Sequence, residues 1–522
     1  MNHRSPFPDV DIPDVPYPAF ALARADALGE RPAFVDAPSG RQITHRQLAD
    51  SARRVAAALA RRGVAKGDVL AIYLPNLPEY AVALYAFTSV GGVVTPISPM
   101  YTAVELQRQL LDARASYLLT LPQLLENVRE VLPATGVREV FVLGSAPDAT
   151  PFAELQAYAP NPPDVGIDPR RDLALLPYSS GTTGLPKGVM LTHRNLVANA
   201  LQIANGPLAW REGEIAAAVP PMFHAYGVTM YFGALMCYGS TIVSTPRFDF
   251  EQFLQGIERY KATFAVIVPP VALALAHHPA VNRYDLKSLR LIASGAAPLA
   301  EAVALAVERR LGVPVQQGFG MTELSGATHI QAREDPKASI GRALPGVEWK
   351  VVDSATGETL APQERGEILV RCPSVMRGYL NRPDETRTVL DPDGWLHTGD
   401  LGFADAAGCC FIVDRLKELI KYKGYAVAPV ELEGLLLTHP EVADACVVAH
   451  ADAEAGEVPK AFIVAKGSVS ADALIDFVAN SVAPYKRIRA VEFIDALPRS
   501  PAGKLLRRVL VERDRASGTD LK

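Results

Sequence analysis

The sequence has no run of apolar residues long enough to cross a bilayer, which would need about 20 in succession. Its amino-terminal segment, MNHRSPFPDVDIPDVPYP, is polar and rich in proline, so we expect no signal peptide. Cysteine is scarce. The five cysteines form no CxxC pair and no metal-ligand spacing, and we expect them to be buried in a reducing compartment. Basic residues are not in excess, since the net charge is −5, and this argues against nucleic-acid binding. These absences favour a cytoplasmic protein without membrane or nucleic-acid partners.

The sequence does show an alternation of two periodicities, which begins near residue 31 and resumes after Asp172. Short apolar strands such as VLAIYLP alternate with helices such as RQLADSARRVAAALARR. This pattern predicts parallel sheets covered by helices on both faces. From about Val347 the sequence pattern changes to that of short strands separated by Gly and Asp turns. Beyond Lys417 the pattern predicts a small α+β unit.

A chain of 522 residues is too long for one ordinary core. We therefore predict an α/β fold with a large N-terminal domain over residues 1–413, which holds parallel-type sheets covered by helices and a β-rich subdomain. Residues 414–417 are the predicted hinge. Residues 418–522 are predicted to form a small, mobile α+β lid.

The stretch SSGTTGLPKG, which runs from Ser179 to Gly188, has the composition of either a flexible linker or a binding loop. A predicted strand, LALLPY, precedes the stretch, and another apolar segment, GVMLTH, follows it, which favours a binding loop. Glycines let backbone N–H groups approach an anion, hydroxyls add donors, and Lys187 adds a point charge. The order Pro-Lys-Gly is not that of a Walker A loop. Taken alone, the stretch favours phosphate binding over a structural turn.

Further motifs lie at the predicted ends of elements. In QGFGMTE (317–323), Glu323 offers the carboxylate oxygen that Mg²⁺ prefers. SGAAP (294–298) ends a strand with small residues against which a flat ring can lie. HTGD places Asp400 at a predicted turn, where it could accept both hydroxyls of a ribose. Cations cluster in DRLKELIKYKG and RSPAGK: Arg415, Lys417, Lys421, Lys423 and Lys504.

SSGTTGLPKGV, QGFGMTE, HTGD, DRLKELIKYKG and SPAGK together match the core motifs of one superfamily. From about residue 25 to 510 the chain resembles the adenylate-forming enzymes, and within them the 4-coumarate–CoA ligase and luciferase branch. The resemblance implies a two-step ligation with ATP, Mg²⁺ and coenzyme A. A carboxylate attacks the α-phosphate of MgATP, giving an acyl-adenylate and pyrophosphate. The thiol of coenzyme A then displaces AMP to give a thioester.

The resemblance also implies residue roles. Lys504 would bridge the attacking carboxylate and the α-phosphate, and it forms the catalytic set with Thr322, Glu323 and His224. Glu323 and Thr183 would hold Mg²⁺. ATP and AMP would be bound by Ser179, Ser180, Gly181, Thr182, Thr183, Gly184, Lys187, Ala296, Gly318, Thr322, Asp400, Arg415, Lys417 and Lys421.

The segment PPMFHAYGVTM (220–230) indicates which class of carboxylic acid would be activated. Amino-acid-activating relatives carry an aspartate there, and this chain has none, so we do not expect an α-amino acid as the activated substrate. His224 is either a wall of the acyl site or a core histidine. The expected acyl pocket suits an aromatic, cyclic or medium-chain acid and comprises Tyr226, Met230, Ala293, Ala296, Gly318 and Ala327.

The sequence defines the molecule that accepts the acyl group less closely than it defines the nucleotide site. Arg247, Lys423 and Gly424 match positions that contact coenzyme A in the superfamily. Cys372 replaces a usual glycine. Ala426 replaces a usual glutamine that contacts the adenylate, so transfer to an amine or to a separate carrier protein is an alternative to thioester formation. A non-catalytic nucleotide-binding regulator would be expected to have lost Lys504, Glu323 or Arg415. A homodimer is compatible with the sequence.

Overall fold

Four sheets organise the chain in the computed structural model, which describes residues 2–179, 186–423, 425–452, 455–500 and 503–517. Two of the sheets have nine strands each, and the other two have five. None of the helices among these residues is both long and apolar enough to cross a membrane. The arrangement confirms the predicted α/β class, with a large N-terminal part and a small α+β C-terminal part.

The first nine-stranded sheet has a parallel body and an antiparallel edge. The strands of its body, in spatial order, are Leu173–Leu175, Val93–Ile97, Val69–Tyr73, Tyr117–Thr120, Glu139–Val142 and Thr150–Pro151. At the edge, Lys187–Thr192 pairs antiparallel with Leu173–Leu175, and it also pairs with Tyr178–Ser179 and Gly378–Tyr379. This edge places the two ends of the predicted phosphate loop beside each other, because Ser179 and Lys187 are cross-strand partners.

The second nine-stranded sheet is also parallel in its centre. Its strands, in spatial order, are Arg342–Ala343, Gly326–Ile330, Val315–Met321, Leu291–Ser294, Phe264–Ile267, Ile215–Ala218, Thr241–Ser244, Pro32–Asp36 and Gln42–Thr44. The strands Pro32–Asp36 and Gln42–Thr44 form a hairpin. The alternation of elements did not indicate that this hairpin joins the second sheet, where Pro32–Asp36 lies parallel to Thr241–Ser244.

Helices cover these sheets and fill the space between elements. Pro78–Ser89 is almost wholly buried, as its nearly continuous apolar sequence requires. The α-helices are Tyr17–Ala21, Ala25–Leu28, His45–Arg61, Pro78–Ser89, Ala103–Asp112, Leu125–Val131, Phe152–Leu155, His193–Ala204, Ala225–Thr229, Leu235–Cys237, Phe250–Tyr260, Pro269–His277, Glu301–Leu311, Pro383–Val389, Pro429–Leu436, Ala471–Ala479 and Arg507–Ser517. Shorter helical turns are Pro122–Leu124, Leu132–Ala134, Met230–Ala234, Pro279–Arg283, Thr322–Leu324 and Pro484–Lys486.

The third sheet, which we call the subdomain sheet, is antiparallel. Its strands are His3–Arg4, Glu348–Val352, Gly366–Arg371, Leu396–Ala404 and Cys410–Arg415. Asp400 lies inside the strand Leu396–Ala404 and pairs with Arg415, so the prediction of a turn at Asp400 was wrong. Asp414 and Arg415, which the sequence assigned to the hinge, belong to the last strand of this sheet, and residues 416–419 lead out of it.

The fourth sheet belongs to the predicted lid. Its strands are Tyr425–Val427, Ile420–Tyr422, Gly456–Ala465, Val442–Asp452 and Ala490–Phe493. The two lid clusters of buried apolar side chains draw only on residues after 419, whereas the clusters of the other three sheets use earlier residues. The closing helix begins at Arg507.

Candidate active site

One cleft of about 2660 Å³ runs between the lid and the rest of the molecule. Residues from all four sheets line it, and its volume exceeds that of a site for one small ligand. Most of the predicted site residues that the structure describes line this cleft: Ser179, Lys187, His224, Tyr226, Met230, Ala293, Ala296, Gly318, Thr322, Glu323, Ala327, Asp400, Arg415, Lys417 and Lys504.

The Asp400 carboxylate is buried in the wall that the subdomain sheet contributes. Arg415 Nε lies 2.6 Å from Asp400 Oδ1 in an ion pair between the two last strands of that sheet. Oδ2 is also buried, and no hydrogen-bond donor among the described residues reaches it. Burial raises the pKa of Asp400 to about 6, although Arg415 and Lys504 act against this rise. An unsatisfied buried acceptor of this kind costs roughly 1–3 kcal/mol, so the site is suited to a ligand that donates hydroxyl hydrogens.

Glu323 lies in a helical turn, Thr322–Leu324, directly after the strand Val315–Met321. Its side chain is buried, and the hydroxyl of Tyr379 donates a hydrogen bond of 2.8 Å to Oε1. The backbone is held as well, because Met376 N–H donates to the Glu323 carbonyl at 2.8 Å. The structure thus presents a fixed carboxylate at the floor of the cleft.

Lys187 begins the strand that follows the predicted phosphate loop. Its ammonium forms an ion pair with Glu385 and lies 5.0 Å from the centroid of the Tyr379 ring. On the neighbouring strand, the hydroxyl of Ser179 is buried and lacks a partner among the described residues. Ser180, Gly181, Thr182, Thr183 and Gly184 lie outside the described residues.

The loop that carries Lys504 connects the last lid strand to the closing helix. Ser500 N–H donates to the Lys504 carbonyl at 2.7 Å, and Lys504 N–H donates to Ser500 Oγ at 3.1 Å. Desolvation and the charge of Arg415 lower the pKa of the Lys504 ammonium. The charges of Glu418, Asp400 and Glu323, which line the same cleft, act against this shift.

The loop touches the opposite wall through Gly503. This residue has φ +78°, and a Cβ added to it would lie 3.1 Å from Val268 Cγ2. The loop therefore leaves little room for a side chain at position 503 beside Val268.

His224 begins the helix Ala225–Thr229 and caps it, because its Nδ1 accepts from Tyr226 N–H at 3.3 Å. Burial and the nearby charge of Lys504 lower the pKa of His224 to about 4, so the ring is neutral at pH 7. With Nδ1 accepting, the ring hydrogen is on Nε2. His224 is therefore a neutral side chain on the wall of the cleft.

Beyond His224 the cleft becomes apolar. The Tyr226 hydroxyl donates to the Ala293 carbonyl at 3.4 Å, and its ring packs on Gly295, where a Cβ would sit 3.0 Å from the ring. Ala296 adopts φ +71°, which exposes its backbone to the cleft. The pocket also includes side chains that the sequence analysis missed: Leu208, Phe223, Phe319 and Ile330. Of these, Phe223 and Phe319 lie inside motifs that had already been singled out, whereas Leu208 lies in a connection with no motif.

Two family matches cover most of the chain. Residues 22–380 match the family described as "AMP-binding enzyme", and residues 431–504 match "AMP-binding enzyme C-terminal domain". The chain belongs to the AMP-binding enzyme family. It is 38% identical over 532 residues to 4-coumarate–CoA ligase 1 of Petroselinum crispum, covering 99% of this chain and 97% of the relative.

Solved structures share the fold over nearly the whole chain. The anthranilate CoA ligase AuaEII in complex with anthranoyl-AMP has a TM-score of 0.89 at 27% identity, with 97% of this chain and 98% of that chain covered. The amide bond synthetase McbA from Marinactinospora thermotolerans has a TM-score of 0.85 at 27% identity, with 97% and 100% covered.

Three predicted residues of this AMP-binding enzyme do not line the cleft. Arg247 lines a separate surface pocket of about 480 Å³ together with Phe248. Lys421 is exposed on the lid strand Ile420–Tyr422, and Lys423 is exposed beside it with φ +45°. Gly424 lies outside the described residues.

Proposed function

We propose that this AMP-binding enzyme is an acid–CoA ligase. It would convert an aromatic, cyclic or medium-chain acid and MgATP to an acyl-adenylate and pyrophosphate, and then form the CoA thioester and AMP. One observation carries the proposal: the lid's Lys504 shares a cleft with the Asp400–Arg415 pair and with an apolar pocket. The names of its relatives, 4-coumarate–CoA ligase and anthranilate CoA ligase, support the same chemistry.

ATP would lie across the floor of this cleft. Asp400 Oδ2, which has no donor among the described residues, would accept the ribose hydroxyls while Arg415 holds Oδ1. The phosphates would extend towards Ser179 and Lys187, where a buried hydroxyl and an ammonium face the cleft. Lys417 would contact the nucleotide from the connection to the lid.

Mg²⁺ fits the donors that are present. The described residues contain no group of three or more His, Cys, Asp or Glu side chains that could hold a metal ion. A single buried carboxylate, Glu323, suits Mg²⁺ because this ion commonly binds one or two carboxylates together with substrate phosphates. Thr183 would add a hydroxyl. When bound, Mg²⁺ would neutralise charge on the phosphates.

Lys504 would supply the decisive charge for adenylation. The attacking carboxylate and the α-phosphate are both anions, and a positioned ammonium between them offsets their repulsion. His224 is neutral at pH 7, so it would leave this charge balance unchanged while it shapes the wall beside the reacting carboxylate. Thr322 would contact the α-phosphate.

Thioester formation would require a second position of the lid. Rotation about residues 416–419 would withdraw Lys504 and bring Lys423 and Gly424 to the acyl-adenylate. Arg247 would meet the nucleotide part of coenzyme A at its surface pocket. Such a hinge motion would let one cleft serve both half-reactions.

An amine acceptor is the second candidate, favoured by the likeness to an amide bond synthetase and by Ala426 in place of glutamine. Transfer to a separate carrier protein, a homodimeric assembly and a cytoplasmic location stay predictions from the sequence.

The testing experiment measures AMP release from MgATP with a panel of aromatic, cyclic and medium-chain acids. Each acid is combined with coenzyme A, with an amino-acid mixture, or with neither. Turnover that needs coenzyme A, with the thioester identified by mass spectrometry, supports the ligase. Turnover that needs an amino acid supports the amide synthetase, and the absence of AMP with every combination overturns both.

A further inference from the structure

The short strand Gly378–Tyr379 connects two parts of the nucleotide site. It pairs with the strand that Lys187 begins, with Tyr379 opposite Val189. Its tyrosine hydroxyl donates to Glu323 Oε1 at 2.8 Å, across 56 residues of sequence. The face of the same ring lies 5.0 Å from the Lys187 ammonium. One side chain therefore contacts both the carboxylate that would hold Mg²⁺ and the lysine that would hold phosphate.

Tyr379 is itself held in place. Its N–H donates to Thr386 Oγ1 at 2.9 Å, and that hydroxyl donates to the Arg382 carbonyl at 2.8 Å. The tyrosine is 7% exposed. Burial and the neighbouring charge of Glu323 raise the pKa of its phenol, so the hydroxyl keeps its hydrogen and acts as a donor at every physiological pH.

We propose that Tyr379 is a positioning residue for the metal site: it fixes Glu323 so that a single carboxylate oxygen is directed to the cation. A carboxylate with one oxygen held by a phenol offers the second oxygen in a defined direction, which Mg²⁺ requires because it demands near-ideal octahedral geometry. Groups that orient metal ligands in this way typically contribute 10–100-fold to metal affinity. The inference rests on the proposed function, in which Glu323 binds Mg²⁺.

The test separates the hydroxyl of Tyr379 from its ring. Tyr379→Phe removes the bond to Glu323 and keeps the ring beneath Lys187. We expect Mn²⁺ binding to the ATP-saturated protein, followed by electron paramagnetic resonance without any acid, to weaken about tenfold. The Mg²⁺ concentration for half-maximal pyrophosphate release should rise by a similar factor. Thioester formation from supplied acyl-adenylate, which needs no triphosphate, should change little.

Tyr178→Phe is the matched control, because the Tyr178 hydroxyl donates to Asp112 Oδ2 at 2.7 Å and has no bond to Glu323. Its cation affinity should equal that of the wild type. Equal cation affinity in Tyr379→Phe and wild type would overturn the inference.

A double variant distinguishes an effect of Tyr379 through Glu323 from a general loss of structure. If Tyr379 acts through Glu323, adding Tyr379→Phe to Glu323→Gln should weaken cation binding no further than Glu323→Gln alone. Additive losses would overturn the inference. Wild-type protein that binds no cation with ATP and releases no pyrophosphate would instead contradict the proposed function.

Discussion

Asp400 is the residue whose charge should be visible in the pH dependence of ATP binding. Its pKa is raised to about 6 by burial, so below pH 6 the carboxyl becomes protonated and loses its ion pair with Arg415. We expect the KM for ATP to rise as pH falls through about 6, approaching tenfold per unit. Asp400→Asn should give a high KM that no longer varies over this range. A wild-type KM that is flat from about pH 5 to 8 would contradict this role.

The raised pKa of Asp400 makes the folded protein more stable at low pH, whereas it would weaken ATP binding there. The folded protein without ligand binds this proton more tightly than the unfolded chain, whose carboxyl has a pKa of 3.8. The contribution of Asp400 to the free energy of unfolding is therefore full below pH 3.8 and is lost as pH rises through about 6.

Glu385 would compete with phosphate for Lys187. The Lys187–Glu385 ion pair would have to open when triphosphate binds. Because an ion pair that is partly exposed contributes up to about 1 kcal/mol, Glu385→Gln should lower the KM for ATP roughly two- to fivefold. Asp384→Asn is a matched control, since Asp384 pairs with Arg387 and not with Lys187. Steady-state kinetics that show an unchanged or higher KM for Glu385→Gln would refute the competition.

Site residues inside contiguous motifs could be predicted from the sequence, because a phosphate loop and a turn with a carboxylate have a composition that follows from their chemistry. Tyr379 could not. Its partner Glu323 lies 56 residues away, and the contact depends on a two-residue strand that joins the edge of the first sheet. Buried polar atoms without a hydrogen-bond partner, such as Asp400 Oδ2, also cannot be predicted from a sequence, because they depend on which side chains surround them.

At the scale of elements, Gly503 brings the segment before Lys504 close to Val268. Gly503→Ala would add a Cβ that presses on Val268, at a φ that alanine seldom adopts. We expect adenylation to slow by about tenfold as the loop shifts, with little change in thioester formation from supplied acyl-adenylate.

Gly408→Ala is the matched control, because Gly408 has φ +79° and a Cβ there would meet no described atom within 4 Å. Gly408→Ala and Gly503→Ala should lower the unfolding temperature by similar amounts, whereas the rate of adenylation should stay unchanged in Gly408→Ala. Equal slowing of adenylation in both variants would attribute the effect to backbone strain alone.

The order of strands and helices followed closely from their periodicity, whereas the pairing of strands did not. The apolar run GVMLTH forms Lys187–Thr192, which is antiparallel to its neighbours at the edge of an otherwise parallel sheet. Periodicity reports which face of a strand is buried, but pairing direction depends on connections across the whole chain. The sequence likewise indicated a turn at Asp400 because Gly399 precedes it, but cross-strand pairing extends the strand through this position.

At the scale of the whole molecule, the candidate active site includes a residue from a separately packed unit. Lys504 belongs to the lid, whose buried apolar clusters share no described residue with the clusters of the other three sheets. In the proposed mechanism, adenylation would therefore depend on one orientation of the lid, and thioester formation would use another. This division is the central claim, because it requires the two half-reactions to respond differently to one substitution.

The most direct measurement compares Lys504→Ala with wild type in the two half-reactions separately. Pyrophosphate release from MgATP and acid measures adenylation, and thioester formation from supplied acyl-adenylate and coenzyme A measures the second step. We expect adenylation to fall on the order of 10²–10³-fold, the scale of losing one preorganised donor, and thioester formation to fall far less. Equal losses in both half-reactions would contradict the assignment of Lys504 to adenylation and the two-position lid.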